Sequence, residues 1–131
     1  MPARSTQTNV PWLFVVAILA WCIPGAGHLV INERRRAVII FTTLLLTFIL
    51  GLYIGSIGVI NPFIAKSWYV AQMMNSPLVA LLGRVNEHGQ YAVYGRPNEI
   101  GQIYTSIAGL LNLLCIVNAV YMAHVKRTAL A

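Results

Sequence analysis

"WCIPGAGHLVINERRR", Trp21 to Arg36, is the stretch on which the reading of this chain turns. It closes an apolar run, interrupts it with a proline and two glycines, offers one histidine and ends in three consecutive arginines. Three readings compete: the end of a signal peptide, a kinked membrane helix, or a binding site. The signal-peptide reading fails on detail. Arg4 alone would form the cationic leader, no small-x-small cleavage site follows the apolar run, and bulky Trp21 precedes Cys22 where lipoprotein-type cleavage wants a small residue. Retention of the segment is therefore expected. Pro24 has no N–H and its ring crowds the carbonyl of Ala20, so the helix should bend there. Gly25 and Gly27 would let a second helix approach the hinge, and His28 would satisfy a freed polar group. Arg34, Arg35 and Arg36 would anchor the following turn at an anionic membrane face.

Composition places that hinge in a membrane chain. Only 9% of the 131 residues are charged and 58% are hydrophobic, whereas about a quarter are charged in ordinary soluble domains. The net charge of +6 comes from nine Lys and Arg against Glu33, Glu87 and Glu99. The cations flank apolar runs instead of interleaving with polar groups on one face, which argues against nucleic acid and for juxtamembrane anchors. Cys22 and Cys115 sit inside apolar runs with no metal-ligand spacing, so they read as small hydrophobes.

A helix needs about 20 apolar residues to cross the hydrocarbon. Ala37 to Ile60 and Gly101 to Ala123 contain no charged residue, and each meets that length. The run from Trp12 to Ile23 rises only about 18 Å before the proline, so the chain is expected to continue inward past Pro24 and complete a span. The expectation is a single all-α integral membrane domain, 1–131, with spans near 11–31, 37–60 and 101–123. The segment 62–83 is ambiguous: Lys66, Gln72, Asn75, Ser76 and Pro77 scatter around a helical wheel, leaving a surface helix, a re-entrant segment or a fourth span open. Residues 84–100 read as the main exposed loop.

With three spans and an outer N-terminus, Arg34, Arg35, Arg36, Lys126 and Arg127 fall together on the cytoplasmic side of a bacterial inner membrane, with the C-terminus. Trp12, Tyr53, Trp68, Tyr69 and Tyr104 would then lie near the outer interface. In the second span Thr43, Thr47, Gly51 and Gly55 recur every four residues; Gly101, Thr105 and Gly109 do so in the third, with Asn112 beside them. Small residues let helix backbones approach in lipid, so these two faces are expected to meet, or to meet a partner. Asn112 and Asn118 are expected to hydrogen-bond between helices. His28 and His124, both toward the cytoplasmic ends of their helices, are the sharpest ligand candidates, able in principle to bind a haem iron or a pigment magnesium. His88 reads as solvated. No catalytic constellation can be assembled, so no enzyme and no obligatory cofactor or metal is expected.

"WCIPGAGHLVINERRRAVIIF" resembles the opening of a family of small bacterial membrane proteins of unknown function, in which a Trp precedes P-G-x-G-H, then Tyr, Gly and a basic pair. "NEIGQIYTSIAGLLNLLCIVNAVYMA" looks like the same family's closing helix, where E-x-G leads into AGLLNLL and ends in D-A-Y. This chain departs at Val30, Asn32 and Asn118, where the pattern has Tyr, Gly and Asp. The resemblance implies an all-helical membrane protein and supplies no activity. The leading expectation for function is a structural or accessory subunit among membrane lipids and other integral membrane subunits. The alternative is a lipid-, quinone- or tetrapyrrole-binding protein using His28 and His124, and the third reading is a small transporter.

Overall fold

The computed structural model describes residues 10–63, 66–88 and 95–130. Among them the order is α1 (Val10–Cys22), α2 (Ala26–Val30), α3 (Arg34–Gly55), a 3-10 turn (Ile57–Val59), α4 (Lys66–Met73), α5 (Leu78–His88) and α6 (Arg96–Leu130), with no strand. Two of these, α3 and α6, are long and apolar enough to cross a membrane, at about 33 and 52 Å by helical rise. α6 covers the expected run 101–123 and extends past both its ends into charged residues, whereas α3 begins in the arginines before the expected run 37–60 and stops at Gly55, where a 3-10 turn takes over.

α6 is the central column, and α3 packs antiparallel to it. A Cβ on Gly51 would meet Thr105 and Gly101, and one on Gly55 would meet Gly101 and Pro97. At the other end Arg36 reaches the sulfur of Met122 at 3.3 Å. The two small-residue faces therefore meet, but only over their Gly51–Gly55 half. Thr43 is exposed, and the hydroxyl of half-buried Thr47 donates to its carbonyl at 2.8 Å. The reason is geometric: residues four apart advance about 40° on a helix with 3.6 residues per turn, so the stripe winds away from α6. Gly109 and Asn112 face α4 instead.

The first segment is not a straight or merely kinked span. α1 has 13 residues, and the backbone reverses through Gly25, at φ +85°, a left-handed value that glycine adopts without steric cost. Trp12 lies beside Arg127, and Ile31 and Glu33 beside Lys126, so both ends of residues 10–32 sit at the α6 C-terminal end. The expected placement of the N-terminal segment and the C-terminus on opposite faces is thus corrected, and Trp12 moves from the expected outer interface to the basic end. Gly27 fits where a Cβ would strike Ala20 and Ala119, which is what folds α2 back along α1 and α6. Asn32, standing where the resembled pattern has glycine, holds φ +64° in the turn into α3, a conformation that Asn tolerates better than most residues.

The expected ambiguous segment 62–83, of which residues 64 and 65 lie outside the described residues, forms a second hairpin. α4 runs alongside α6, with Trp68 O facing Ser106 and Met74 and Asn75 facing Asn112. The chain turns at residues 74–77, and α5 returns, with Val79 packed with Ala108 and Ile60 and Asn86 Nδ2 donating to Ile60 O at 3.0 Å. A Cβ on Gly109 would overlap the carbonyl oxygen of Ala71. Only glycine allows α4 this close. Polar residues scatter on a single helical wheel here because the segment is two helices facing different neighbours. α5 also runs on to His88 and α6 starts at Arg96, so both flanks of the expected 84–100 loop are helical; residues 89–94 lie outside the described residues. Pro97 in the first turn and Glu99 beside it suit the start of α6.

The candidate site: two opposed hairpins that meet halfway along α6

Two proline-interrupted hairpins thus point at each other, α1–α2 from the basic end and α4–α5 from the opposite end. Their tips touch near the midpoint of α6. Trp21 Nε1 donates to Met73 O at 2.9 Å, and Ser76 Oγ donates to Cys22 O at 3.0 Å. Each bond satisfies a carbonyl left free where a helix ends, which is the obligation that a broken helix carries. Ser76 Oγ also accepts from Leu78 N at 3.3 Å and so caps α5.

Behind the tips lies a buried polar cluster. Asn112, fully buried, donates through Nδ2 to Met74 O at 3.0 Å and Asn75 O at 2.9 Å. Gln72, also fully buried, donates to Thr105 Oγ1 at 2.8 Å, and the Thr105 hydroxyl donates in turn to Gly101 O at 2.8 Å. Ser106 Oγ donates to Trp68 O at 3.3 Å. The side-chain N–H and O–H groups of Gln72, Thr105, Ser106 and Asn112 all have acceptors. The acceptors are in surplus: Gln72 Oε1, Asn75 Oδ1 and Asn112 Oδ1 are buried and unpartnered among the described residues. Such atoms carry a desolvation cost unless a donor reaches them. These three oxygens have no donor among the described residues.

His28 is 1% exposed, and neither ring nitrogen has a partner among the described residues. It does not satisfy a carbonyl freed at the hinge, as expected from sequence; the tip carbonyl of Cys22 takes Ser76 instead. His124 is exposed on α6, so a group ligated by both would have to join a sealed imidazole to an exposed one. His88 is exposed, with Nδ1 2.8 Å from Arg84 O. Asn112 bonds between segments as expected, whereas Asn118 is exposed. Cys22 and Cys115 are free and half-buried.

The basic end is built by Lys126, which donates to Ile31 O at 3.0 Å and Glu33 Oε1 at 2.7 Å. Hydrogen bonding and charge from Lys126 hold the Glu33 carboxyl below the usual carboxylate range. Arg127 lies 5.4 Å from the centroid of the Trp12 ring. Gln72, Asn75, Ser76 and Trp21 were not singled out as site residues from sequence. The signal that could have found them is the second internal proline, Pro77, matching Pro24.

Fold and geometry define a class: an all-α chain with two helices long enough to span a bilayer and two opposed half-length hairpins between them. The chain belongs to a family of unknown function (DUF6677), whose profile matches residues 15–129. No curated protein and no solved structure matches it.

Proposed function

We propose that this is a non-catalytic integral membrane protein that holds and passes a small hydrogen-bond-donating solute at mid-depth. α3 and α6 cross the bilayer, and the two hairpins enter from opposite faces. Two features support the bilayer placement. The apolar windows of α3 and α6 are only 22% and 33% buried within the fold, unlike the core helix of a soluble protein. α6 is also inverted relative to a soluble helix: its most buried positions are small or polar, from Thr105 and Ala108 through Asn112 to Ala119, while Ile107, Leu110, Leu114 and Val117 face outward. By the positive-inside rule the end bearing Arg34, Arg35, Arg36, Lys126 and Arg127 is cytoplasmic, and α1 starts from it.

The observation that carries the solute reading is the meeting of two broken segments at mid-depth beside three unpartnered amide oxygens. Non-helical backbone at that depth is tolerated where it is buried in protein or lines a polar path, and paired interrupted helices commonly form solute sites. An acceptor-rich, carboxylate-free cluster suits water or a neutral solute bearing N–H or O–H groups. The test is osmotic and solute permeability of proteoliposomes, read with water, urea, glycerol and ammonia. The expected result is a permeability to at least one of these above protein-free vesicles that Asn112→Leu abolishes. Permeability equal to that of empty vesicles for all of them refutes the reading.

One observation favours the subunit role as a second reading. Asn118 is exposed in the apolar middle of α6, and a polar amide facing lipid gains from a partner helix. The Gly51–Gly55 seam does not contribute, since Gly101 and Thr105 fill it. A stoichiometric partner or second copy lost on Asn118→Leu supports this role, and a monomer in mild detergent removes it.

A further inference from the structure

Where α1 begins and α6 ends, a groove of about 300 Å³ opens between the helices, lined by Trp12, Val30, Ile31, Asn32, Lys126 and Arg127. We propose that it binds the headgroup of one anionic phospholipid, with the phosphate on Lys126 and Arg127 and the glycerol and first methylenes on the apolar floor. The inference rests on the bilayer placement above but not on the mid-depth solute.

Among the described residues the positive charge at this end exceeds its counter-ions. Against Arg34, Arg35, Arg36, Lys126 and Arg127 stands Glu33, which forms the one salt bridge among the described residues, 2.7 Å from Lys126. Three of these arginines occupy the first turn of α3, which has no acidic residue, and a helix N-terminus is already the positive end of its dipole. Cations there are unfavourable until an anion joins them.

The donors are also arranged. An ammonium has three N–H groups, and Lys126 spends two on Ile31 O and Glu33, leaving one at the groove. Arg127 stacks on Trp12, which restricts its guanidinium while leaving the N–H fork free to take two phosphate oxygens. Beneath them Val30, Ile31 and the Trp12 ring are apolar, as the start of an acyl chain requires. A soluble anion would gain nothing from that floor. Basic pockets between helices at the cytoplasmic face are a recurrent form of headgroup site.

The test is native mass spectrometry of the full-length protein in mild detergent, titrated with phosphatidylglycerol or phosphatidylcholine of identical chains, with and without inorganic phosphate. Expected are one tightly held phosphatidylglycerol, clear preference over phosphatidylcholine, and weakening of about fivefold for each of Lys126→Gln and Arg127→Ala. Arg127→Lys should recover part of the affinity, and Arg96→Ala, at the opposite end, should change nothing. Equal binding of the two lipids, or equal loss on Arg96→Ala, overturns the proposal. Displacement by millimolar inorganic phosphate overturns it as well, because the site would then read a free anion. Lipid binding without solute permeability would leave this inference standing while refuting the mid-depth reading.

Discussion

Gly109→Ala isolates the contact on which the α4–α5 hairpin depends. In an unobstructed helix the change stabilises by about 1 kcal/mol, since alanine is the better helix former. Here the new methyl would overlap Ala71 O and lie 3.0 Å from its carbonyl carbon and 3.3 Å from Asn75 N. These are backbone atoms, so α4 must shift as a body. Overpacking of this kind costs about 1–3 kcal/mol. The shift also stretches the two bonds from Asn112 to Met74 O and Asn75 O, and such bonds are worth about 0.6 kcal/mol each in membranes. After the helix-propensity gain, the net destabilisation is about 2 kcal/mol, or roughly thirtyfold in the folding equilibrium. Gly83→Ala is the control: its Cβ would meet only the Tyr69 ring edge and hydroxyl at 3.2 Å, atoms at the end of a side chain that can rotate. That variant should be unchanged or up to about 1 kcal/mol more stable. Reversible unfolding in bicelles, followed by tryptophan fluorescence, measures both. Gly109→Ala at or above wild-type stability, with Gly83→Ala neutral, would show that α4 does not pack on α6 as described.

Three further outcomes follow from the same geometry. In a background lacking Cys22 and Cys115, Pro11→Cys and Thr128→Cys should label from the same side of sealed vesicles and Asn98→Cys from the other; labelling of Pro11→Cys with Asn98→Cys would restore a full first span. Trp21→Phe removes one tip bond and should cost about 0.6 kcal/mol, whereas Ser76→Ala removes a tip bond and the α5 cap and should cost more, about 1–2 kcal/mol; equal, negligible effects would mean that the tips do not meet. Because Lys126 lowers the Glu33 carboxyl, its contribution to stability is present above the ordinary carboxylate value of about 4.3 and is lost as pH falls below that through the lowered value. Glu33→Gln should flatten the acid limb of a stability profile below the ordinary carboxylate value, and an unchanged limb would show that the pair contributes nothing.

Much of the fold was legible because it is written locally. A long uncharged apolar run is a helix long enough to span wherever it is placed, which is why α3 and α6 emerge from residues 37–60 and 101–123. Pro24 and Gly25 likewise announce a break without reference to any other residue. The direction of that break was not legible. A proline prescribes a missing donor and a crowded carbonyl, and both are relieved equally by a kink that continues inward or a turn that goes back. Contacts far along the chain choose between them: Gly27 against Ala119, Trp12 against Arg127, and Lys126 against Ile31 and Glu33.

The candidate site divides in the same way. Asn112 stands out in sequence as a polar residue in an apolar helix, and its neighbours in the chain identify it as an interhelical group. Gln72, Asn75 and Ser76 carry no such mark, because their surroundings are mixed and Thr105, Asn112 and Cys22, which they meet on other helices, lie more than thirty residues away. The stripe from Thr43 to Gly55 marked a close helix contact, but the drift of a four-residue repeat decided which half of it was used. The sequence by itself determined two helices long and apolar enough to span a membrane and the places where the short ones break, since these depend on residues near one another. The tertiary structure alone decided that the broken segments turn back and meet, since that depends on which distant backbones glycine allows to touch and which freed carbonyls find a donor.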